Sequence, residues 1–99
     1  MESFELIQYL QNKRRELSHA LSESKKRGIA LADAERQYKK EKAKFIAKAR
    51  IEKVAVTLIG DLAKGHPEIS ELRHKRDVAK VLYWNAQEAI NVYKLECRL

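Results

Sequence analysis

The sequence predicts an all-α protein. A long helix, a short connecting helix and a returning C-terminal helix form an antiparallel coiled-coil-like hairpin or a three-helix bundle. Three observations predict it. Ala, Glu, Lys, Leu and Arg supply 55 of the 99 residues, the bias of long helices. The lone proline is Pro67, so no proline interrupts a helix before it. Apolar residues recur at sevenfold spacing through the first half, as along a coiled-coil seam. Leu, Ile, Val and Phe number 25, above the roughly one-fifth of a chain below which folding fails, so residues 1–99 are expected to fold as one helical domain.

The first helix is expected over about 3–53. Leu10, Leu17, Leu31, Tyr38 and Phe45 keep the sevenfold spacing, with Ser24 interrupting it, and Ile7, Leu21 and Ala49 hold the companion positions. Arg14, Ser24, Glu35 and Lys42 are polar breaks in this seam. As one helix the span would measure about 75 Å at 1.5 Å per residue. Gly28 follows Lys25, Lys26 and Arg27, cations then glycine, which is how helices often end. The next stretch, "IALADAERQY", resumes helical spacing at once, so continuity or a kink at Gly28 is favoured over a turn.

Val54, Val56 and Thr57 are β-branched, and Gly60, Gly65 and Pro67 follow, so a break is expected at 54–57. A short helix then covers about 58–64, with Thr57 as its N-cap and Gly65 as its end. Pro67 suits the first position of a third helix, about 67–98, whose positive end Glu68 and Glu71 complement. Ile69, Leu72, Ala79, Tyr83, Ala86, Ile90, Tyr93 and Cys97 form its seam. Val78, Val81, Val92, Leu95 and Leu99 widen that seam, which predicts burial against more than one neighbour. Residues 3–27 then need a partner, either by folding back at Gly28 or from a second chain. A chain of 99 residues buries a modest share of its surface, so a homo-oligomer, with a dimer favoured, is expected.

The residue types argue against an enzyme. His19, His66 and His74 fall in no metal-ligand spacing, no glycine-rich phosphate loop is present, and no cofactor, metal or small-molecule substrate is expected. His74 lies one turn from Glu71 and Asp77, a grouping that on an exposed helix is solvated polar surface. Cys97 cannot form an internal disulfide and reads as a thiol on the apolar seam. The N-terminus lacks the basic-then-apolar pattern of a signal peptide, and no apolar run reaches the ~18 residues of a membrane span, so a cytoplasmic protein is expected.

The net charge is +7, and residues 36–53 hold eight bases against two acids, so most of the charge sits there. Arg36, Lys39, Lys40, Lys44, Lys48 and Arg50, joined by Arg73, Lys75 and Arg76, are the candidate nucleic-acid contacts. On a helical wheel these charges surround the strip of Tyr38, Phe45 and Ala49 and do not form one stripe. Lysine outnumbers arginine within the run, so the contact would be nonspecific, to phosphate. Trp84 falls between apolar strips, either capping the core or anchoring a protein interface, with Leu10, Leu17, Leu21, Val92 and Leu95 as further interface candidates.

"AVTLIGDLAKG" and "ELRHKRDVAKVLYWNAQEAINVYKLECRL" resemble small helical proteins encoded by phages and prophages of Gram-positive bacteria, over roughly residues 30–99. The resemblance rests on Thr57, Asp61 and Leu62, on Leu72-Arg73 and Arg76-Asp77, and on the ending "AQEAINVYKLECRL"; Gly60 departs from the proline such proteins carry there. Such proteins often continue past the position of Leu99. The resemblance implies a phage origin, the cytoplasm of an infected or lysogenic bacterium, and a non-catalytic role. The expected function is a protein-interaction module, for example an inhibitor or adaptor acting on host nuclease or CRISPR defence. The alternative is an accessory DNA-binding protein in phage replication or recombination.

Overall fold

Helix α1 runs from Ser3 to Ile51, α2 from Val56 to Gly65 and α3 from Pro67 to Cys97 in the computed structural model. The structure describes residues 2–98. Gly28 lies inside α1 with an ordinary helical backbone. A Cβ there would lie 3.6 Å from Cε2 of Tyr83, a normal van der Waals distance. The helix is therefore continuous, and the bundle that needs a fold-back at Gly28 is not formed. No turn-forming residue follows this glycine, and Ala30, Leu31 and Ala32 carry the helix onward.

The chain divides into two compact units, one of residues 2–29 with 81–98 and one of residues 30–80. In both, a stretch of α1 packs against a stretch of α3, the hairpin pairing expected of the sequence. In the first unit the pairing is antiparallel. Lys13 Nζ meets Glu96 Oε2 at 2.8 Å, Gln87 Nε2 donates to Ser24 Oγ, and Arg27 Nη1 donates to the Leu82 carbonyl at 3.1 Å. Ser24 does not break the seam, because it is buried and hydrogen-bonded there. Leu10 and Leu17 are half-buried, as the spacing predicts.

The companion column differs from expectation in this unit. Ile7 and Leu21 are exposed, and Lys13, Ala20 and Arg27 take the second column. A contact between two helices covers little more than two columns, and the small Ala20 and Ser24 lie on the side that closes.

The second unit has a third element, so its core is deeper. Tyr38, Ala63 and Ile69 are buried together, one from each helix, with Phe45 and Leu72 packed against them. Ile69 is 4 % exposed, and burial of such a side chain stabilises by about 2 kcal/mol. Here the second α1 column is Glu35, Lys42 and Ala49, one residue later in the heptad than in the first unit. A helix of 3.6 residues per turn drifts about 20° per heptad against a sevenfold repeat, which moves the buried column in this way.

On α3 every residue of the predicted seam is buried or half-buried. The widening does not hold. Val78, Val81, Val92 and Leu95 are exposed, and Leu99 lies outside the described residues. In the first unit α3 has only α1 to pack against, so one face is covered and the rest meets solvent.

The helix ends also differ from expectation. Lys53 takes a left-handed backbone with φ 60°, the Val54 N–H donates to the Ala49 carbonyl at 3.0 Å, and the Lys53 N–H donates to Arg50 at 3.1 Å. These two bonds are the Schellman closure, which satisfies carbonyls that a helix end leaves open. It stops α1 at Ile51, and only Ala55 then separates the turn from α2. Ala55, not Thr57, is therefore the N-cap, and no side chain caps the helix. Gly65 is the last residue of α2, yet it needs no left-handed backbone. The chain leaves the helix at His66, whose extended conformation is the one a following proline imposes.

A left-handed lysine costs about 1 kcal/mol that glycine does not. Lys53→Gly is expected to raise unfolding stability by about 0.5–1 kcal/mol and Lys53→Val to lower it, read from urea midpoints. A loss of stability in Lys53→Gly would contradict this account of the turn.

Candidate functional site

Two outward faces and one cleft are available for binding, and each follows from local sequence. The first lies on α3 in the first unit. At about 100° per residue, Tyr83, Ala86, Ile90, Tyr93 and Cys97 share the face turned to α1. Val81, Trp84, Glu88, Val92 and Leu95 share the opposite face. Ala86 and Ile90 are 4 % and 5 % exposed, whereas the four apolar members of the opposite row are 50 % to 63 % exposed. This stretch of α3 is therefore apolar on two sides, with one side covered. Trp84 belongs to the surface row and does not cap the core. Val92 and Leu95 stand beside it, Leu21 is exposed on α1, and Leu10 and Leu17 lie in the seam.

The second face is on α1 in the second unit. Arg36, Lys39, Lys40, Lys44, Lys48 and Arg50 are all exposed. Glu41, the only acid between Arg36 and Arg50, lies on the inward half of the helix and meets Lys44 Nζ at 3.4 Å. The outward half of this stretch is thus a broad basic band, with Glu41 at its edge beside Lys44 and Lys48. Lys42 is apart from the band, its ammonium 5.6 Å from the centre of the Tyr38 ring.

The other basic candidates are placed differently. Lys75 is exposed, while Arg73 and Arg76 are half-buried. The Arg76 guanidinium lies 4.6 Å from the centre of the Tyr38 ring and donates from Nε and Nη2 to Asp77 Oδ1 at 3.1 and 2.8 Å. These bonds raise the Arg76 pKa further and hold the Asp77 carboxyl below its ordinary value. Asp77 is thus engaged by Arg76, and His74 and Glu71 are exposed beside it. Among the described residues no group of three or more metal-ligating side chains occurs, and no helix is long and apolar enough to cross a membrane.

The cleft, of about 700 Å³, opens in the second unit between the last turns of α1, α2 and the start of α3. Phe45, Ala49, Leu62 and Ile69 make its apolar lining, and acids and lysines of both signs ring it. The His66 ring packs 5.3 Å from Phe45, and its buried Nδ1 has no hydrogen-bond partner. In the sequence this histidine stands out only as lying in no metal-ligand spacing. Lys13 does not stand out there either, yet its ammonium joins Glu96 and Glu16 and lies 5.5 Å from the Tyr9 ring. Hydrogen bonds to Glu96 and then Glu16 raise the Lys13 pKa and keep it charged.

Compared with known proteins, the chain matches no family model, no curated protein and no solved structure.

Arg76 has a structural task that Lys75 lacks, and a cation over a partly desolvated ring stabilises by about 1–2 kcal/mol. Arg76→Ala is expected to lower stability by about 1 kcal/mol or more and Lys75→Ala to leave it within about 0.5 kcal/mol, by urea denaturation. Equal effects would remove the ring contact as a source of stability.

Proposed function

We propose that the protein is a non-catalytic helical interaction module whose binding surface is the outward row of α3. The observation that carries this reading is the exposed line of Val81, Trp84, Val92 and Leu95 opposite a buried seam. A helix apolar on two faces loses free energy by leaving one in water, and surface rows of this kind mark protein contacts. Tryptophan is the residue type that most often dominates such contacts. On the resemblance to phage and prophage proteins, the module is of phage origin and its partner is bacterial host machinery, with nuclease or CRISPR defence as the concrete version. The test is capture from bacterial lysate with the wild-type chain and with Trp84→Glu and Leu95→Glu. Both side chains are exposed, so folding is expected to survive. Proteins retained by the wild type and lost with both variants support the reading. Identical capture by all three overturns it.

One observation favours a second reading, nonspecific binding to nucleic-acid phosphate through α1. Arg36, Lys39, Lys40, Lys44, Lys48 and Arg50 are exposed on an outward band whose single acid, Glu41, lies at its edge. Contact through about six phosphates weakens on the order of a thousandfold between 50 and 200 mM salt. Duplex DNA titrated at both salts is expected to show that slope, and Lys40→Glu with Lys44→Glu and Lys48→Glu to abolish binding. No binding at 50 mM salt ends this reading.

A further inference from the structure

The outward row of α3 has a symmetry that names its occupant. Val81 and Leu95 stand seven residues to either side of Glu88, and Trp84 and Val92 stand four to either side. All four are at least half-exposed and lie on one helix face with Glu88 at its centre. A row whose apolar members lie at equal distances on either side of one residue meets itself apolar side to apolar side under a two-fold axis, as an isologous dimer requires. We infer that a second copy of this chain docks antiparallel on this face, with the axis at Glu88. Val81 then packs on Leu95 of the other copy, and Trp84 packs on Val92. The inference rests on the reading of this face as a protein-binding surface and names a second copy, in place of a host protein, as what covers it.

Charge permits the pairing. The protein carries +7, but residues 81–98 hold two acids, Glu88 and Glu96, against two bases, Lys94 and Arg98. The paired segments are thus electrically neutral and add no repulsion of their own to that between two chains of +7. Glu88 is the exception at close range, because at the axis it faces its own copy, and like charges disfavour the pair. Four half-exposed apolar side chains per copy bury on the order of 1,000 Å² in total, the lower limit of specific interfaces. The dimer is therefore expected at the weak end of specific association.

Residues 81 and 95 are about 21 Å apart along one helix and cannot pair within a chain. Val81→Lys and Leu95→Glu, each alone, are expected to weaken the dimer at least tenfold, and the double variant to recover to within a few-fold of wild type. Glu88→Gln is expected to tighten the dimer several-fold. Sedimentation equilibrium from 5 to 300 μM reads all of these, with helix content by circular dichroism as the folding check. A wild-type monomer at 300 μM overturns the proposal, as does a double variant no better than the singles. Weakening by Glu88→Gln also overturns it, since the carboxylate would then face a cation of the other copy and not its own counterpart at the axis. A monomer whose capture of other proteins depends on Trp84 defeats self-pairing and leaves the interaction reading standing. A monomer whose capture ignores Trp84 defeats both.

Discussion

Burial along α1 is centred on a narrow double column that repeats every seven residues: Leu10, Leu17 and Ser24 beside Lys13, Ala20 and Arg27 in the first unit, Leu31, Tyr38 and Phe45 beside Glu35, Lys42 and Ala49 in the second. A column this narrow accepts one helix along its length, and α3 is that helix. Where α2 is added, a three-sided core forms around Ala63, which is 1 % exposed. Where it is absent, α3 has a covered side and an open side. The open apolar row is thus a consequence of how little α1 can cover.

The same narrowness sorts the charges. Polar residues at the edge of the seam find partners across it or on their own helix: Lys13 with Glu96, Arg27 with the Leu82 carbonyl, Arg76 with Asp77 and the Tyr38 ring. Bases away from the seam outnumber acids between Arg36 and Arg50, so they accumulate there as a band. A high net charge is tolerable here because its members point outward, in water that screens them. Basic residues in this chain therefore have two kinds of role, and burial separates them. Arg76 supports a ring, and Lys40 is solvated.

Periodic burial was legible in the sequence, and the location of neighbours was not. The α1 column and the whole α3 seam from Ile69 to Cys97 follow from spacing, because residues on one helical face are buried together. Pro67 marks the start of α3 by its own chemistry. Val81, Val92 and Leu95 also share a face with Trp84 by spacing, yet spacing cannot say whether anything packs there, so those three read as a broader core and Trp84 as a residue at its boundary. Trp84, Val92 and Leu95 were legible as surface candidates, while Leu10 and Leu17 were drawn inward by α3. The stop at Lys53 carried almost no signal, because neither glycine nor asparagine marks the left-handed position. Ala49 and Val54, the ends of its longer bond, are the only apolar hint. Lys13 and His66 were missed because a polar residue gains meaning only from what faces it.

The hydrogen bond from Gln87 to Ser24 has a consequence for the alternatives the chain rejects. Sevenfold patterns match themselves when one helix slides by seven residues, so apolar spacing alone permits several alignments of α1 with α3. A slide by one heptad would set Ser24 against Lys80 or Lys94 and leave Gln87 facing leucine. A buried hydroxyl without its amide, and an amide without its hydroxyl, are each penalised. One polar pair inside an apolar interface thus acts as a key, admitting a single register among those the leucines would accept.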